Sequence, residues 1–186
     1  KIKFNTTDRT LENDNQKTSI LYNYNKCKFE IPIHDNALCE PYYANAAIIR
    51  DANECKTWSE NVLFPAIDIL NYIDPELTYD CFLMSPIILP LHCGSIGFGS
   101  ASSEDILGLI YLPGVDTKYD VAECLLHEAL HQKLFRIESG VNLFLDKSPK
   151  EEQYYSPWRA DSRSLRMILH GSLVFTAIAE LWASLV

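Results

Sequence analysis

Residues 120–138 read DVAECLLHEALHQKLFRIE, and the rest of the chain is best understood as the support for this segment. At helical spacing, His127 and His131 lie one turn apart on the same side, so that two imidazoles are directed at one point. With Glu128 they form HExxH, in which a helix presents two nitrogen ligands to a metal and holds a carboxylate beside its open coordination position. The segment therefore predicts a metal-binding helix.

The alternative interpretation of this segment is a polar stripe on an otherwise apolar helix. The motif is flanked by Cys124, Leu126, Leu130 and Leu134. Two histidines and a glutamate in such surroundings need polar partners or a metal, because unpaired buried polar groups are costly. We therefore favour metal binding.

Length and charge limit the classes of protein to consider. The chain has 186 residues, of which 47% are hydrophobic, enough for one domain with a substantial core. Its formal net charge is −9, and no basic cluster offsets it. This balance argues against a nucleic-acid partner and against an anionic membrane surface.

Cysteine usage and the N-terminal sequence indicate a cytoplasmic protein. The six cysteines are irregularly spaced and include no CxxC: Cys27, Cys39, Cys55, Cys81, Cys93 and Cys124. We interpret them as free thiols in a reducing compartment. No N-terminal apolar run with a basic start and no uninterrupted apolar segment of membrane-spanning length is present, so we expect neither export nor insertion.

The N-terminal part of the chain, residues 1–80, shows supporting elements without chemistry of their own. Loose alternation predicts a hairpin or two short strands. Two helices should follow, and Pro65 should kink the second. The predicted strands cover residues 20–24 and 27–33, and the predicted helices cover residues 42–52 and 57–73.

Residues 81–186 should form the metal-binding part of the same single domain. We predict a buried strand over residues 81–91, broken at Pro86, and a clearer strand over residues 106–112 that pairs around residues 96–98. The HExxH helix should be capped by Asp116 or Thr117 and give way to a loop at residue 138. A strand beside this helix would give an extended peptide an edge to lie on.

The fold class predicted from this pattern is α+β. A small antiparallel or mixed sheet from residues 81–112 should be flanked by the HExxH helix and by a long C-terminal helix that starts near Asp161 or Ser162. Tyr154, Tyr155 and Trp158 should line the mouth of the pocket between them.

A third metal ligand must come from outside HExxH. The sequence QKLFRI after His131 contains neither Gly nor His, which excludes a metzincin arrangement. Two alternatives remain in the last apolar helix, namely Glu180 and His170. Arg163 lies seven residues before His170, about 10 Å along the same side of a helix. A guanidinium there could hold one end of a dicarboxylate whose other end reaches the metal, although such an arginine can also be part of a solvated helix start.

HEALHQKLF followed by YYSPWRADSRSLRMILHG and an apolar helix resembles the HExxH-motif peptide-modification family of ribosomally made, post-translationally modified peptides. The resemblance runs from about residue 108 to residue 186. It is most specific in the second motif, at Ser156, Pro157, Trp158, Arg159, Asp161, Arg163, Leu165, Leu169, His170, Gly171 and Phe175. The chain departs from the pattern at Ala160, Ser162 and Ser164, where the family often has other residues.

The resemblance implies an iron(II)- and 2-oxoglutarate-dependent oxygenase that hydroxylates the β-carbon of a residue in a precursor peptide. Carried onto this chain, it implies His127, His131 and His170 as iron ligands. Arg163, with Arg159, would anchor 2-oxoglutarate. Glu128 would then orient a ligand or a water molecule instead of acting as the general base of a hydrolase.

Two other functions remain open at the level of sequence. One is an HExxH zinc metallopeptidase in which Glu180 completes the ligand set and Glu128 is the general base that activates water. The other is a binding or scaffold module with a structural or vestigial metal, which reads a leader peptide or a partner enzyme. The expected partner of the oxygenase is its precursor peptide, and either a homodimer or a partner modification enzyme is compatible with the sequence.

Overall fold

The structure, a computed structural model, describes residues 9–13, 16–33, 48–92, 99–114, 117–144 and 153–186. The chain has the predicted α+β fold, built around a mixed sheet of strand order β1-β2-β3-β4-β6-β5. Antiparallel pairs lie at both edges, and the pairs β3–β4 and β4–β6 are parallel. The strands are β1 (Arg9–Asn13), β2 (Gln16–Tyr24), β3 (Cys27–Pro32), β4 (Ile87–His92), β5 (Ala101–Ser102) and β6 (Leu109–Gly114).

The predicted hairpin over residues 20–33 is confirmed as β2 and β3. Its two-residue turn consists of Asn25 and Lys26, whose φ angles are 48° and 69°. Positive φ at both central residues is the geometry that matches the twist of the flanking strands. The sheet is wider than predicted, because residues 9–32 contribute three of its strands in addition to those from residues 87–114.

The strand predicted over residues 81–91 is half wrong. Residues 81–84 end helix α3 (Pro75–Met84), and β4 begins only at Ile87. Asp74 caps α3 by accepting hydrogen bonds from the backbone N–H groups of Glu76 and Leu77, and Pro75 stands at the first helical position. A helix start signal of this kind outweighs the strand character of the residues at the far end.

The helix predicted over residues 57–73 is present but begins earlier. It consists of α1 (Ala52–Trp58), a π-helical turn (Ser59–Leu63) and α2 (Phe64–Ile73). The turn widens next to Pro65, which has no N–H to donate to the preceding turn. For the helix predicted over residues 42–52, residues 42–47 lie outside the described part of the chain, and residues 48–51 are not helical.

The strand predicted over residues 106–112 is shifted toward the C-terminus. Residues 106–108 form a turn in which Gly108 adopts a φ of 94°, a value that glycine reaches without strain. Strand β6 follows it and pairs with β5 at Ala101 and Ser102. The pairing predicted around residues 96–98 lies outside the described residues.

Two long helices carry the predicted ligands. Helix α4 (Lys118–Gly140) is capped by Thr117, one of the two predicted caps, and continues past residue 137, so the loop predicted to begin at residue 138 is wrong at its start. Helix α5 (Leu165–Ala183) is capped by Ser164, not by Asp161 or Ser162. Helix α4 packs against β5 and β6 as predicted, whereas the main packing partner of α5 is α4 and not a strand of the sheet.

The main core lies between one face of the sheet and the helices. It includes Ile31, Leu63, Ile67 and Leu125, all 0% exposed, and it draws on residues from both parts of the chain. A smaller apolar cluster covers the other face of β4 and β6 around Tyr111. The rigid support of α4 is therefore the whole sheet together with α2 and α3.

Candidate metal centre

Three histidine side chains from α4 and α5 form a row. His131 Nε2 lies 3.2 Å from His127 Nε2, and His131 Nδ1 lies 3.0 Å from His170 Nδ1. Two nitrogens bound to the same ion at about 2.1 Å stand roughly 3.0–3.4 Å apart, so each pair has the separation of two ligands of one metal. The structure thus brings together the three residues that the sequence analysis singled out.

The three histidine side chains do not converge on one point. His131 occupies the centre and meets its two neighbours with different ring nitrogens, whereas one imidazole gives one nitrogen to one ion. Accordingly, no three His, Cys, Asp or Glu side chains within the described ranges stand in the geometry that holds a metal ion. Binding of one ion by all three imidazoles would therefore require a change in their side-chain positions.

The electrostatics of the row suit metal ligation. Burial, with the neighbouring His127 and His170, lowers the pKa of His131 to about 3. Burial also lowers the pKa of His170, despite an opposing effect of Glu138. Imidazoles bind metals in their neutral form, so neither ring has to lose a proton at neutral pH to act as a ligand.

Glu138, the last acidic residue of α4, faces His170 from the side opposite His131. Glu138 Oε1 lies 3.3 Å from His170 Nε2, and each of these buried atoms lacks an aligned hydrogen bond in the described part of the chain. A carboxylate behind a histidine fixes which nitrogen carries the proton and leaves the other available to a metal. Here the available nitrogen is His170 Nδ1, which points at His131.

Arg166 links the Glu138 carboxylate to that of Glu104, which follows β5 in the chain. Its guanidinium donates to Glu138 Oε2 at 2.6 Å and to Glu104 Oε2 at 2.6 Å. Burial alone would raise the pKa of Glu138, but the hydrogen bonds from Arg166 and the adjacent His170 side chain hold it below its usual value. The charged form of Glu138 is therefore the stable one beside His170.

Glu128 of HExxH is buried and fully engaged. Its side chain is 3% exposed, and the hydroxyls of Ser100 and Ser102 donate to its two oxygens, each at 2.6 Å. Ser102 belongs to β5, the edge strand beside α4. Glu128 thus fastens α4 to the edge of the sheet.

The two predicted cofactor arginines share one carboxylate. Asp161 accepts from Arg159 Nε at 2.9 Å and lies 2.7 Å from Arg163 Nη2. The side chain of Arg163 is 18% exposed, and its buried Nε has no hydrogen-bond partner among the described residues. That of Arg159 is 63% exposed. Both arginines lie before Leu165, where α5 begins, so the prediction that Arg163 and His170 stand two turns apart along one side of a helix is wrong.

Aromatic rings bound the histidine row on two sides. Phe175 meets His127 edge to face, with ring centroids 5.9 Å apart, and Trp158 stacks on Phe175 at 5.2 Å. On the other side, Phe135 lies 5.1 Å from His170 and beneath the guanidinium of Arg166. Of the residues predicted at the mouth, Trp158 therefore lies next to the row, and Tyr154 pairs through its backbone with Arg163.

The alternative third ligand, Glu180, lies elsewhere. Its side chain lines a cleft of about 310 Å³ formed by residues of α2, α3, α4 and α5, including Leu70, Thr78 and Leu126. Helix α5 thus directs His170 toward the row and directs Glu180 into a separate cleft. His92, the last residue of β4, lies 3.3 Å from Glu54.

Four contributors to the site were missed at the level of sequence: Ser100, Ser102, Phe135 and Glu138. The last two carry a signal, because they follow His131 by four and seven residues and so share its side of the helix. No such spacing announces the serines, which reach Glu128 only through the pairing of β5 with β6.

No protein-family model matches the chain, and no curated protein matches it either.

Proposed function

We propose that this chain is an iron(II)- and 2-oxoglutarate-dependent oxygenase that hydroxylates the β-carbon of a residue in a ribosomally made precursor peptide in the cytoplasm. The proposal rests chiefly on the row of His127, His131 and His170, in which each neighbouring pair of nitrogens stands at the separation of two ligands of one ion. Three neutral imidazoles leave the full charge of a divalent metal for a dianionic co-substrate to balance.

Each residue of the site has a defined task in this proposal. The three histidines hold iron, and Glu138 fixes the proton of His170 on Nε2. Glu128 keeps α4 against β5 through the two serines. Arg163 binds a carboxylate of 2-oxoglutarate in exchange for Asp161, and Arg159 assists from the surface. Iron and 2-oxoglutarate, when bound, supply the activation of dioxygen.

The proposed position of the substrate peptide is the edge of the sheet. Strand β5 is the last strand of the sheet on the side of α4, and its Ser102 contacts the HExxH helix directly. An extended peptide can add to such an edge through its backbone. Trp158 and Phe175, each more than a third exposed, would contact the side chain that is presented to the metal.

Two contacts favour this proposal over a zinc peptidase. A hydrolytic Glu128 would need an oxygen available to activate water, but both of its oxygens accept from serine hydroxyls. The peptidase would also need Glu180 at the metal, whereas Glu180 lines a separate cleft. If the protein consumes no cofactor, the remaining alternative is a scaffold that binds a leader peptide.

The decisive experiment is anaerobic reconstitution with iron(II), followed by addition of 2-oxoglutarate and a search for the metal-to-ligand charge-transfer absorption of a chelated oxoacid. We expect the band in the unmodified protein, its loss in His170→Ala, and a weaker band that needs more 2-oxoglutarate in Arg163→Ala. Glu180→Gln is the matched control on the same helix and should retain the band. Tight zinc binding with no band, or full iron retention in His170→Ala, would overturn the proposal.

A further inference from the structure

Helix α5 has a second apolar side that faces away from the histidine row. The helix is long and apolar enough, by length and composition alone, to cross a membrane, yet only 22% of that stretch is buried. On its inner side, His170, Val174, Ile178 and Leu181 are buried. On its outer side, Leu165, Leu169 and Leu173 are each about 40% exposed or slightly less, as an unpartnered helix face would be.

The outer side carries a regular seam. Spacings of four and three residues alternate without interruption along it, which is the heptad pattern of a helix that packs along another helix. The N-terminal part of the seam has large side chains and the C-terminal part has small ones. The seam residues are Leu165, Leu169, Ser172, Thr176, Ala179 and Ala183.

The two hydroxyls in the seam do not make it polar. Ser172 Oγ donates to the backbone carbonyl of Ile168 at 2.8 Å, and Thr176 Oγ1 donates to that of Ser172 at 2.7 Å. Because both donors are already satisfied within the helix, they can be covered by an apolar surface at little cost. Glu180 is the neighbour of Ala179 in the chain, but its side chain lines the separate cleft between α5 and the helices α2, α3 and α4.

The order of sizes makes the seam complementary to itself. When two copies of α5 run antiparallel about a twofold axis near residue 174, every large residue meets a small one. The macrodipoles of the two helices then also oppose each other favourably. The resulting pairs are Leu165 with Ala183, Leu169 with Ala179, and Ser172 with Thr176.

We propose that the outer side of α5 binds a second copy of this chain, forming a twofold-symmetric dimer through an antiparallel pair of α5 helices. A twofold interface must be self-complementary, and the seam meets this condition in size and in polarity. It also provides a neutral strip on a chain of net charge −9, where two copies can approach without strong repulsion. The histidine row lies on the inner side of the helix, so both sites stay outside the interface.

The test is sedimentation velocity on the purified chain over a range of concentrations. One helix pair is small for a protein interface, so we expect a dissociation constant on the order of micromolar. Leu169→Ala leaves a gap opposite Ala179, and Ala179→Leu forces two leucines together. Each should weaken the dimer at least about tenfold. Leu83→Ala, at an exposed leucine of α3, is the matched control and should leave it unchanged.

The exchanged variant decides the outcome. L169A combined with A179L restores one large and one small residue in every pair, so the dimer should recover most of its affinity. A parallel pair, a face for another protein or a membrane-binding face would not be restored by the exchange. A wild-type chain that stays monomeric at about 100 μM, an exchanged variant as weak as the single ones, or co-sedimentation of monomers with neutral phosphatidylcholine vesicles would each overturn the proposal.

Discussion

At the scale of single residues, the contact between Glu138 and His170 makes a sharp prediction. In Glu138→Gln the negative charge beside His170 Nε2 is lost, and the amide no longer fixes which nitrogen of His170 carries the proton. We expect metal affinity to fall about 10–100-fold, the usual effect of removing a carboxylate that supports a ligand. Competition between the protein and a chelating dye for iron(II) or zinc measures it.

The matched control for this variant is Glu104→Gln. Glu104 is bound to the same arginine but lies at the exposed end of the network, away from His170. Its loss should change metal affinity less than about threefold, since surface ion pairs contribute little. Equal effects of the two substitutions would show that Arg166, and not the His170 contact, carries the influence of Glu138.

Glu128 makes a different residue-scale prediction. Glu128→Gln replaces one of the two carboxylate oxygens by an NH2 group that cannot accept, so one of the two serine hydroxyls loses its acceptor, and the contact between α4 and β5 should weaken by about 1–3 kcal/mol in the free energy of unfolding. Metal binding should persist, because the three histidines are unchanged. Urea denaturation and metal content measured on the same preparation check both halves. Loss of metal with unchanged stability would instead point to Glu128 as a direct ligand.

At the scale of elements, the packing of α5 against Trp158 depends on Gly171. A Cβ built on Gly171 would lie 3.0 Å from two carbons of the Trp158 ring, closer than ordinary contact. Gly171→Ala should therefore displace the Trp158 ring by a few tenths of an ångström and disturb its stacking on Phe175. We expect a net loss of stability of about 1 kcal/mol, although alanine in an unobstructed helix position would gain up to about 1 kcal/mol. Urea denaturation followed by tryptophan fluorescence measures it.

Gly140→Ala is the control, because nothing lies within 4 Å of the Cβ that it adds. This substitution at the end of α4 should be neutral or slightly stabilising. A stabilised Gly171→Ala protein with an unchanged near-ultraviolet spectrum would mean that Trp158 moves freely and does not form a wall beside His127.

The elements that the sequence predicted well are those with strong local signals. The β2–β3 hairpin, the cap at Thr117 and the long helix α4 follow from alternation, capping and helical spacing. The error at residues 81–84 arose because the helix start signal at Asp74 and Pro75 was not weighed. Without that signal, the apolar residues at the end of a short helix have the pattern of a buried strand. The end of α4 was misplaced because the stop signal at Gly140 was not weighed, and that hid Glu138.

At the scale of the whole molecule, the sequence predicted which three histidines come together but not how they are arranged. The three histidines come together because α5 packs across α4. The position of His170 on an apolar helix predicted this contact. The partners behind them, Glu138 with Arg166 and Glu128 with the serines, come from the sheet edge and from helix ends. Such contacts are set by tertiary packing, for which a single sequence carries no local signal.

The folding stability of the metal-free protein should depend on pH through the buried row. Above about pH 6.5, the ordinary pKa of an unfolded histidine, His131 is neutral in both states and contributes no pH dependence. Below that pH, His131 binds a proton in the unfolded chain but stays neutral in the folded chain, because burial and the two neighbouring histidines lower its folded pKa to about 3. Stability should therefore fall as the pH falls, by at most about 1.4 kcal/mol per pH unit from this residue.

The window from pH 6.5 to 5 isolates the histidines, since the pKa of Glu138 is already low in the folded protein and ordinary carboxylates of the unfolded chain bind protons mainly below pH 5. Urea denaturation with a chelator present, at steps of half a pH unit, measures the slope. His131→Asn removes the group that resists protonation, so its slope should be clearly smaller, whatever its stability at pH 7. Equal slopes in the two proteins would mean that His131 binds a proton as readily in the folded state as in the unfolded chain, which would contradict the burial of His131 described above.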